Sequence, residues 1–159
     1  MRNRVFYYPD KKSYVIFTQG ALQHMYLHIQ CRFRSKEAGG EIYSAAPFEH
    51  GLVISSATGP SPRDVRRRRF FNPDPDTLSN IRNQKYAAGE HVVGLWHTHP
   101  EATPSPSPRD RSTTVDFLNA FVGDQDRYIL TILGNSQDPI NMGVWVATLA
   151  ERQWIKLEE

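Results

Sequence analysis

Residues 91–110, HVVGLWHTHPEATPSPSPRD, restrict the possible folds of this chain more than any other stretch. Val92, Val93, Leu95 and Trp96 make a short apolar run, which reads as a buried strand. Two histidines, His97 and His99, stand one residue apart at its end. Residues two apart on a strand project from the same face, so both imidazoles point one way. A proline-laden loop follows, and then Ser107, Pro108 and Asp110. Serine as N-cap, proline at the first helical position and an acid at the third are the signs of a helix start. That helix, with Val115, Leu118 and Val122 as its apolar stripe, can fold back over the strand end and bring Asp110 to the histidines.

The rest of the chain supplies a sheet around this unit. "RVFYY" and "SYVIF", flanking Pro9-Asp10-Lys11-Lys12, form a short hairpin. "TQGALQHMYLHIQ" spaces Leu22, Met25 and Ile29 as an amphipathic helix, with Thr18 as N-cap. "KEAGGEIYSA" and "HGLVISSATG" read as two strands. "VRRRRFF" reads as a third, and its successive charges need solvent on both faces, as on an edge. Asp74-Pro75 starts another helix, with Leu78 and Ile81 on its inner face, and Gly89 stops it. "RYILTILG", "NMGVWVATL" and "RQWIKLE" close the chain as strands. The expected fold is α/β, a single domain over residues 1–159, with a mixed sheet and about three helices.

Composition excludes several classes. Cys31 is the one cysteine, so there is neither a disulfide framework nor a thiolate metal cluster. No apolar run approaches the roughly 18 residues that span a bilayer, and charges interrupt any signal-like core at the N-terminus. These features point to a reducing cytoplasm. A formal net charge of +2 is too mild to imply nucleic acid. Arg63 and Arg66 to Arg69 form the densest basic run; it reads as a solvated edge, with a patch for an acidic partner or a phosphate backbone as the sharper alternative. His24 and His28, four apart on a helix, lack a third ligand and read as a solvated face.

Two imidazoles and a carboxylate suit zinc, which takes nitrogen and oxygen donors tetrahedrally. Three protein ligands leave one position for water, the arrangement of a catalytic site. A His-x-His pair alone is common, and Ser107 with Asp110 alone is only a capped helix. The joint spacing, H-T-H-P-x6-S-x2-D at a strand end and a helix start, is far more specific. A nearby base is then required, and Glu37 and Glu41 both compete for that role.

This segment resembles the signature of the JAMM (MPN-plus) metallopeptidases through His97, Thr98, His99, Pro100, Ser107 and Asp110. The family's upstream pattern, Glu-x-x-Gly-x-hydrophobic, is matched by Glu37, Gly40 and Ile42. The resemblance spans residues 18 to at least 133, with Thr98 in place of the usual serine and Ser44 in place of a common glycine. It implies a cytidine-deaminase-like curved sheet flanked by helices, with Zn2+ held by His97, His99 and Asp110. It further implies Glu37 as the general base, and Ser107 as a hydrogen-bond donor to the oxyanion or as a helix cap. The implied reaction is hydrolysis of the amide joining a protein's C-terminus to a target lysine. "GLWHTHPE" and "ATGPSPRDVRRRRFF" look most like a bacterial subgroup found in antiphage operons, notably CBASS, beside ubiquitin-ligase-like E1/E2 proteins. The implied partners are the C-terminal tail of a conjugated CD-NTase or ubiquitin-like protein and its lysine-linked target. Processing of a ubiquitin-like or sulfur-carrier precursor, and a silent MPN scaffold, are the alternatives.

Overall fold

The computed structural model describes residues 2–47, 49–121, 124–136, 138–149 and 153–159. Among the described residues, eleven strands and three helices follow in the order β1 (Arg4–Tyr7), β2 (Tyr14–Phe17), α1 (Gln19–Tyr26), β3 (Gly39–Ser44), β4 (Gly51–Ile54), β5 (Ser56–Ala57), β6 (Val65–Arg67), β7 (Phe70–Asn72), α2 (Pro75–Ala87), β8 (His91–Thr98), α3 (Pro108–Ala120), β9 (Arg127–Leu133), β10 (Met142–Thr148) and β11 (Trp154–Leu157). Six of the strands form the main sheet, in the order β11-β10-β9-β8-β3-β5. It is mixed, because β8 and β9 are parallel across the α3 crossover while β3, β9 and β10 make antiparallel pairs. The fold is thus the expected mixed α/β one with three helices.

Side chains alternate between two layers, as period-two strands require. In β9, Ile129 and Leu133 join the core shared with α1 and the small β1-β2-β4 sheet, which includes Phe17, Leu22 and Met25. Tyr128, Leu130 and Ile132 point to the opposite face, where Tyr128 packs with Leu118 and the partly buried Phe117 and Phe121, and Leu130 and Ile132 pack with Trp145 and the partly buried Leu95 and Trp154. Strands buried on both faces read as near-continuous apolar runs, which is why β8, β9 and β10 were legible. His97 is paired with Ile132 on one side and Gly39 on the other, so it belongs to the α3-covered face.

Three expectations need correction. "HGLVISSATG" is two strands, because the chain changes sheets at Ser55: β4 runs parallel to β2, and β5 pairs antiparallel with β3. "VRRRRFF" is a two-stranded hairpin of β6 and β7 rather than one edge strand. In α3, Val115 is 41% exposed, since the helix rests on Thr114 and Leu118, and residue 115 lies about 100° around the helix from 114. Val122, the third member of that stripe, lies outside the described residues. All three helices start as their sequences suggest, with Thr18, Asp74 and Ser107 as N-caps. Among the described residues, no helix is long and apolar enough to cross a membrane.

Candidate metal centre and its cleft

The site lies at the carboxyl end of β8. His97 is the penultimate strand residue, and His99 follows one step past the end, its backbone N–H donating to the Leu133 carbonyl at 2.8 Å. This bond continues the ladder far enough to keep both rings on one side. Their Nε2 atoms are 3.1 Å apart. Two facing ring nitrogens at that distance must share a proton or a cation.

Asp110 arrives from the first turn of α3. The Ser107 N–H donates to Asp110 Oδ2 at 2.7 Å, and the Asp110 N–H donates to Ser107 Oγ at 3.2 Å, a reciprocal capping box. Thus fixed, the carboxylate places Oδ1 3.4 Å from His97 Nε2 and Oδ2 3.5 Å from His99 Nε2. Donors bound tetrahedrally to zinc at about 2.0–2.2 Å lie roughly 3.3–3.6 Å apart. The two ring nitrogens, 3.1 Å apart, and the approach of one Asp110 oxygen to each ring, at 3.4 and 3.5 Å, are of that size, so these three side chains could hold a small divalent cation. His99 Nδ1, buried and without a hydrogen-bond partner, has the Glu101 carboxylate 3.8 Å away. A ligand imidazole ordinarily directs its second nitrogen to such a carboxylate.

Glu37 comes from the segment before β3, and its carboxylate lies within 4.8 Å of the His97 and His99 nitrogens. Glu41 does not join it. That side chain is fully buried, ion-paired with Arg82 of α2, and accepts a 2.7 Å hydrogen bond from Tyr43. Geometry thus places Glu37 at the site and Glu41 away from it, the same choice that the Gly-x-hydrophobic pattern after Glu37 suggests. The motif glycine also acquires a reason: a Cβ at Gly40 would fall 1.8 Å from the Thr58 carbonyl oxygen.

The two carboxyl groups at the site are driven apart electrostatically. Burial pushes the Glu37 carboxyl above its ordinary value, with His97 and His99 pulling it back only in part. Burial also opposes ionisation of Asp110. There, hydrogen bonds from His97 and His99, the charge on His97 and the bond to Ser107 prevail and hold the carboxyl well below the usual carboxylate range. One group is set to stay ionised, the other to exchange a proton nearer neutrality.

Sequence reasoning missed the residues that hold Glu37. Its N–H donates to the Arg67 carbonyl at 2.8 Å, and Arg66 Nε donates to its carbonyl at 2.7 Å. Thr98 Oγ1 accepts from the Ala38 N–H at 3.0 Å and donates to Gln30 Oε1 at 3.1 Å. The buried Gln30 amide in turn donates to the Ser35 and Arg68 carbonyls at 3.1 and 2.9 Å. Part of the basic run is therefore internal: Arg66 clips Glu37, and Arg68 bonds the Phe33 carbonyl while lying over its ring. Runs of arginine carry no sequence signal that distinguishes a clip from a solvated edge. His24 and His28 are half-buried against Trp96, each ring 5.9 Å from it, rather than solvated.

The cleft has two chambers separated by Glu37, Phe71, Arg109 and Asp110. One, about 200 Å³, is bordered by Arg69, His99, Glu101 and Ser107. The other, about 90 Å³, is bordered by Leu95, His97, Phe117 and Leu130. The β6–β7 hairpin forms one wall, clasped to α3 by Arg109 over the Phe70 ring at 4.3 Å. A side chain on Gly39 would strike the Phe71 ring, so the bare glycine lets the hairpin close down on the cleft.

Comparison with known proteins agrees with this geometry. The family described as prokaryotic homologs of the JAB domain matches residues 18–146, which contain every residue of the site. A Pseudomonas aeruginosa protein named CD-NTase/cGAS isopeptidase is 32% identical over 106 residues, covering 65% of this chain and 66% of that one, just under two thirds of its length. A protein of the same name from Vibrio cholerae is 24% identical over 129 residues, 79% of this chain and 80% of that one. The solution structure of a Desulfitobacterium hafniense protein shares the fold at 15% identity, with a TM-score of 0.60 over 90% of this chain and 88% of that one. With the family matched across most of its length and the motif residues gathered at one strand end, the chain belongs to the prokaryotic JAB-domain family, of the JAMM type.

Proposed function

We propose that this chain is a zinc isopeptidase that hydrolyses the amide between the C-terminus of a conjugated protein and a target lysine. Convergence of His97, His99 and Asp110 beside a buried Glu37 carries the proposal. His97, His99 and Asp110 would hold the metal, whose contribution is Lewis acidity and a water made acidic to about pKa 7. Glu37 accepts a proton from the attacking water at its carboxylate and passes it to the lysine nitrogen as the C–N bond breaks. Ser107 uses a lone pair in the helix cap, which leaves its O–H free to donate to the carbonyl oxygen as charge builds there. The conjugated tail would lie extended along β7, whose second edge is unpaired among the described residues and whose Phe70 and Phe71 border the cleft.

The relatives' shared name supports a conjugated CD-NTase as substrate. A bacterial antiphage system that also carries an E1/E2-like ligase, in the cytoplasm, is the setting we propose for it. A complete donor set argues against a silent scaffold. The test is incubation of the zinc-loaded protein with a CD-NTase–lysine conjugate, with and without chelator, beside Glu37→Ala. Cleavage by wild type alone, with zinc content equal in the variant, is expected. Full activity in Glu37→Ala would remove Glu37 as the base, and cleavage unaffected by chelation would remove the metal.

A further inference from the structure

Two segments remote in sequence meet beside the cleft and hold an uneven share of the charge. Residues 27–36, between α1 and β3, and residues 65–72, the β6–β7 hairpin, contain seven of the chain's 19 lysines and arginines and none of its 17 acids. Hydrogen bonds fasten the two together: the Gln30 amide bridges the Ser35 and Arg68 carbonyls, and the Glu37 N–H joins the Arg67 carbonyl. Arg66 and Arg68 are committed to carbonyls of the neighbouring segment, but Arg32, Arg34, Lys36, Arg67 and Arg69 are exposed. Among the described residues, none of the seven is ion-paired. The net charge of +2 averages this concentration away. Phe33 stands between Arg32 and Arg34, and at 81% exposure no large apolar side chain among the described residues is more open to solvent. The Arg68 guanidinium lies over its ring, 4.7 Å from the centroid, and braces it outward.

We propose that this surface binds single-stranded nucleic acid, with phosphates on the exposed cations and a base stacked on Phe33. The proposal is independent of the isopeptidase reading. An acidic protein would also be attracted, but the make-up of the patch disfavours it. The core of a protein–protein interface is depleted of charge, with apolar anchors packed in desolvated pockets. Here a single aromatic ring is flanked by cations. Nucleic-acid interfaces are far more positive, and aromatic rings among arginines are how unpaired bases are held. Six of the seven cations are arginines, whose planar fork meets phosphate oxygens two at a time. The bases of a duplex are stacked on one another, so the Phe33 ring finds a partner only in an unpaired strand.

The test is fluorescence anisotropy of a labelled oligouridylate of about ten nucleotides, a length within the span of such sites, titrated with the zinc-loaded protein. Binding is expected with a Kd of about 1–100 μM at physiological salt. Roughly three to five phosphate contacts give a salt slope of about −2 to −3.5, so affinity should fall about 20- to 100-fold between ~50 and ~200 mM salt. Arg32→Glu combined with Arg34→Glu should flatten that slope by about 1.4 and weaken binding at least ~10-fold. Phe33→Ala should weaken it about 5- to 100-fold with the slope unchanged, and Phe33→Tyr, which keeps a ring over Arg68, should restore it. No anisotropy change across that concentration range, a salt-independent affinity, or a duplex of the same length bound as tightly would overturn the proposal. Polyglutamate of equal charge displacing the strand at equal concentration would overturn it in favour of an acidic protein partner. Unchanged affinity in both the charge-reversed and the alanine variant would overturn the assignment to this patch.

Discussion

Replacing Ser107 by alanine and by glycine separates two functions that one hydroxyl is expected to perform. Its oxygen accepts the Asp110 N–H at 3.2 Å as the N-cap of α3. Its hydrogen is assigned to the developing oxyanion. Alanine removes the cap at a cost of about 1 kcal/mol, whereas glycine at an N-cap costs only a few tenths. For a chain of this length, 1 kcal/mol moves Tm by about 2–4 °C, so Ser107→Ala should melt that much lower and Ser107→Gly within about 1 °C of wild type. The oxyanion role makes the opposite forecast, because both variants lack the donor. Each should lose about 10²–10³-fold in kcat. Zinc content should stay constant, since Asp110 is also held by the Ser107 backbone N–H at 2.7 Å, which both substitutions preserve. Calorimetry, metal analysis and single-turnover cleavage read the three quantities. A glycine variant with wild-type kcat would show that the hydroxyl only caps the helix. Equal melting of the two variants would contradict the capping argument.

Other perturbations probe the metal, the Glu37 support and the buried ion pair. Chelation should lower Tm, and zinc at about 1,000 times its Kd should restore about 4 kcal/mol; because imidazoles bind metal only when neutral, the gain should shrink between pH 8 and 6. An unchanged Tm with chelator would contradict a bound cation. Thr98→Val leaves the Ala38 N–H buried without its acceptor, costing about 1–3 kcal/mol. It should also lower kcat at constant zinc content, with Thr98→Ser restoring both, and a loss that serine does not rescue would sink the hydrogen-bond account. Arg82→Met strands the Glu41 carboxylate and should cost about 3–5 kcal/mol in denaturant unfolding, while adding Glu41→Leu should recover most of it. No recovery in the double variant would mean that the pair's partners stabilise through something other than each other.

What sequence could reveal about this site followed the range of the interactions. His97, His99, Ser107 and Asp110 are read from a strand end and a helix start thirteen residues apart, where local periodicity and capping rules fix direction. Glu37 was separable from Glu41 only through the Glu-x-x-Gly-x-hydrophobic pattern that follows it, with no physical signal in the sequence beside it. The choice depends on Arg82, forty-one residues further on, which takes Glu41 out of the site. Gln30, Arg66 and Phe71 gave no signal, since Gln30 acts through Thr98 and Arg68, distant in sequence, and Arg66 and Phe71 reach the site only through the β6–β7 hairpin. The misplacement of Val115 has the same origin: an apolar residue on α3 could face the sheet or solvent, and the helix rests on Thr114 and Leu118 instead. Ligand positions are therefore written locally, whereas the support that gives Glu37 its place is tertiary. Exchanging residues 65–73 between this chain and the Vibrio cholerae relative should consequently alter the rate of conjugate cleavage while leaving zinc content unchanged, and a loss of zinc in the exchanged protein would contradict that separation.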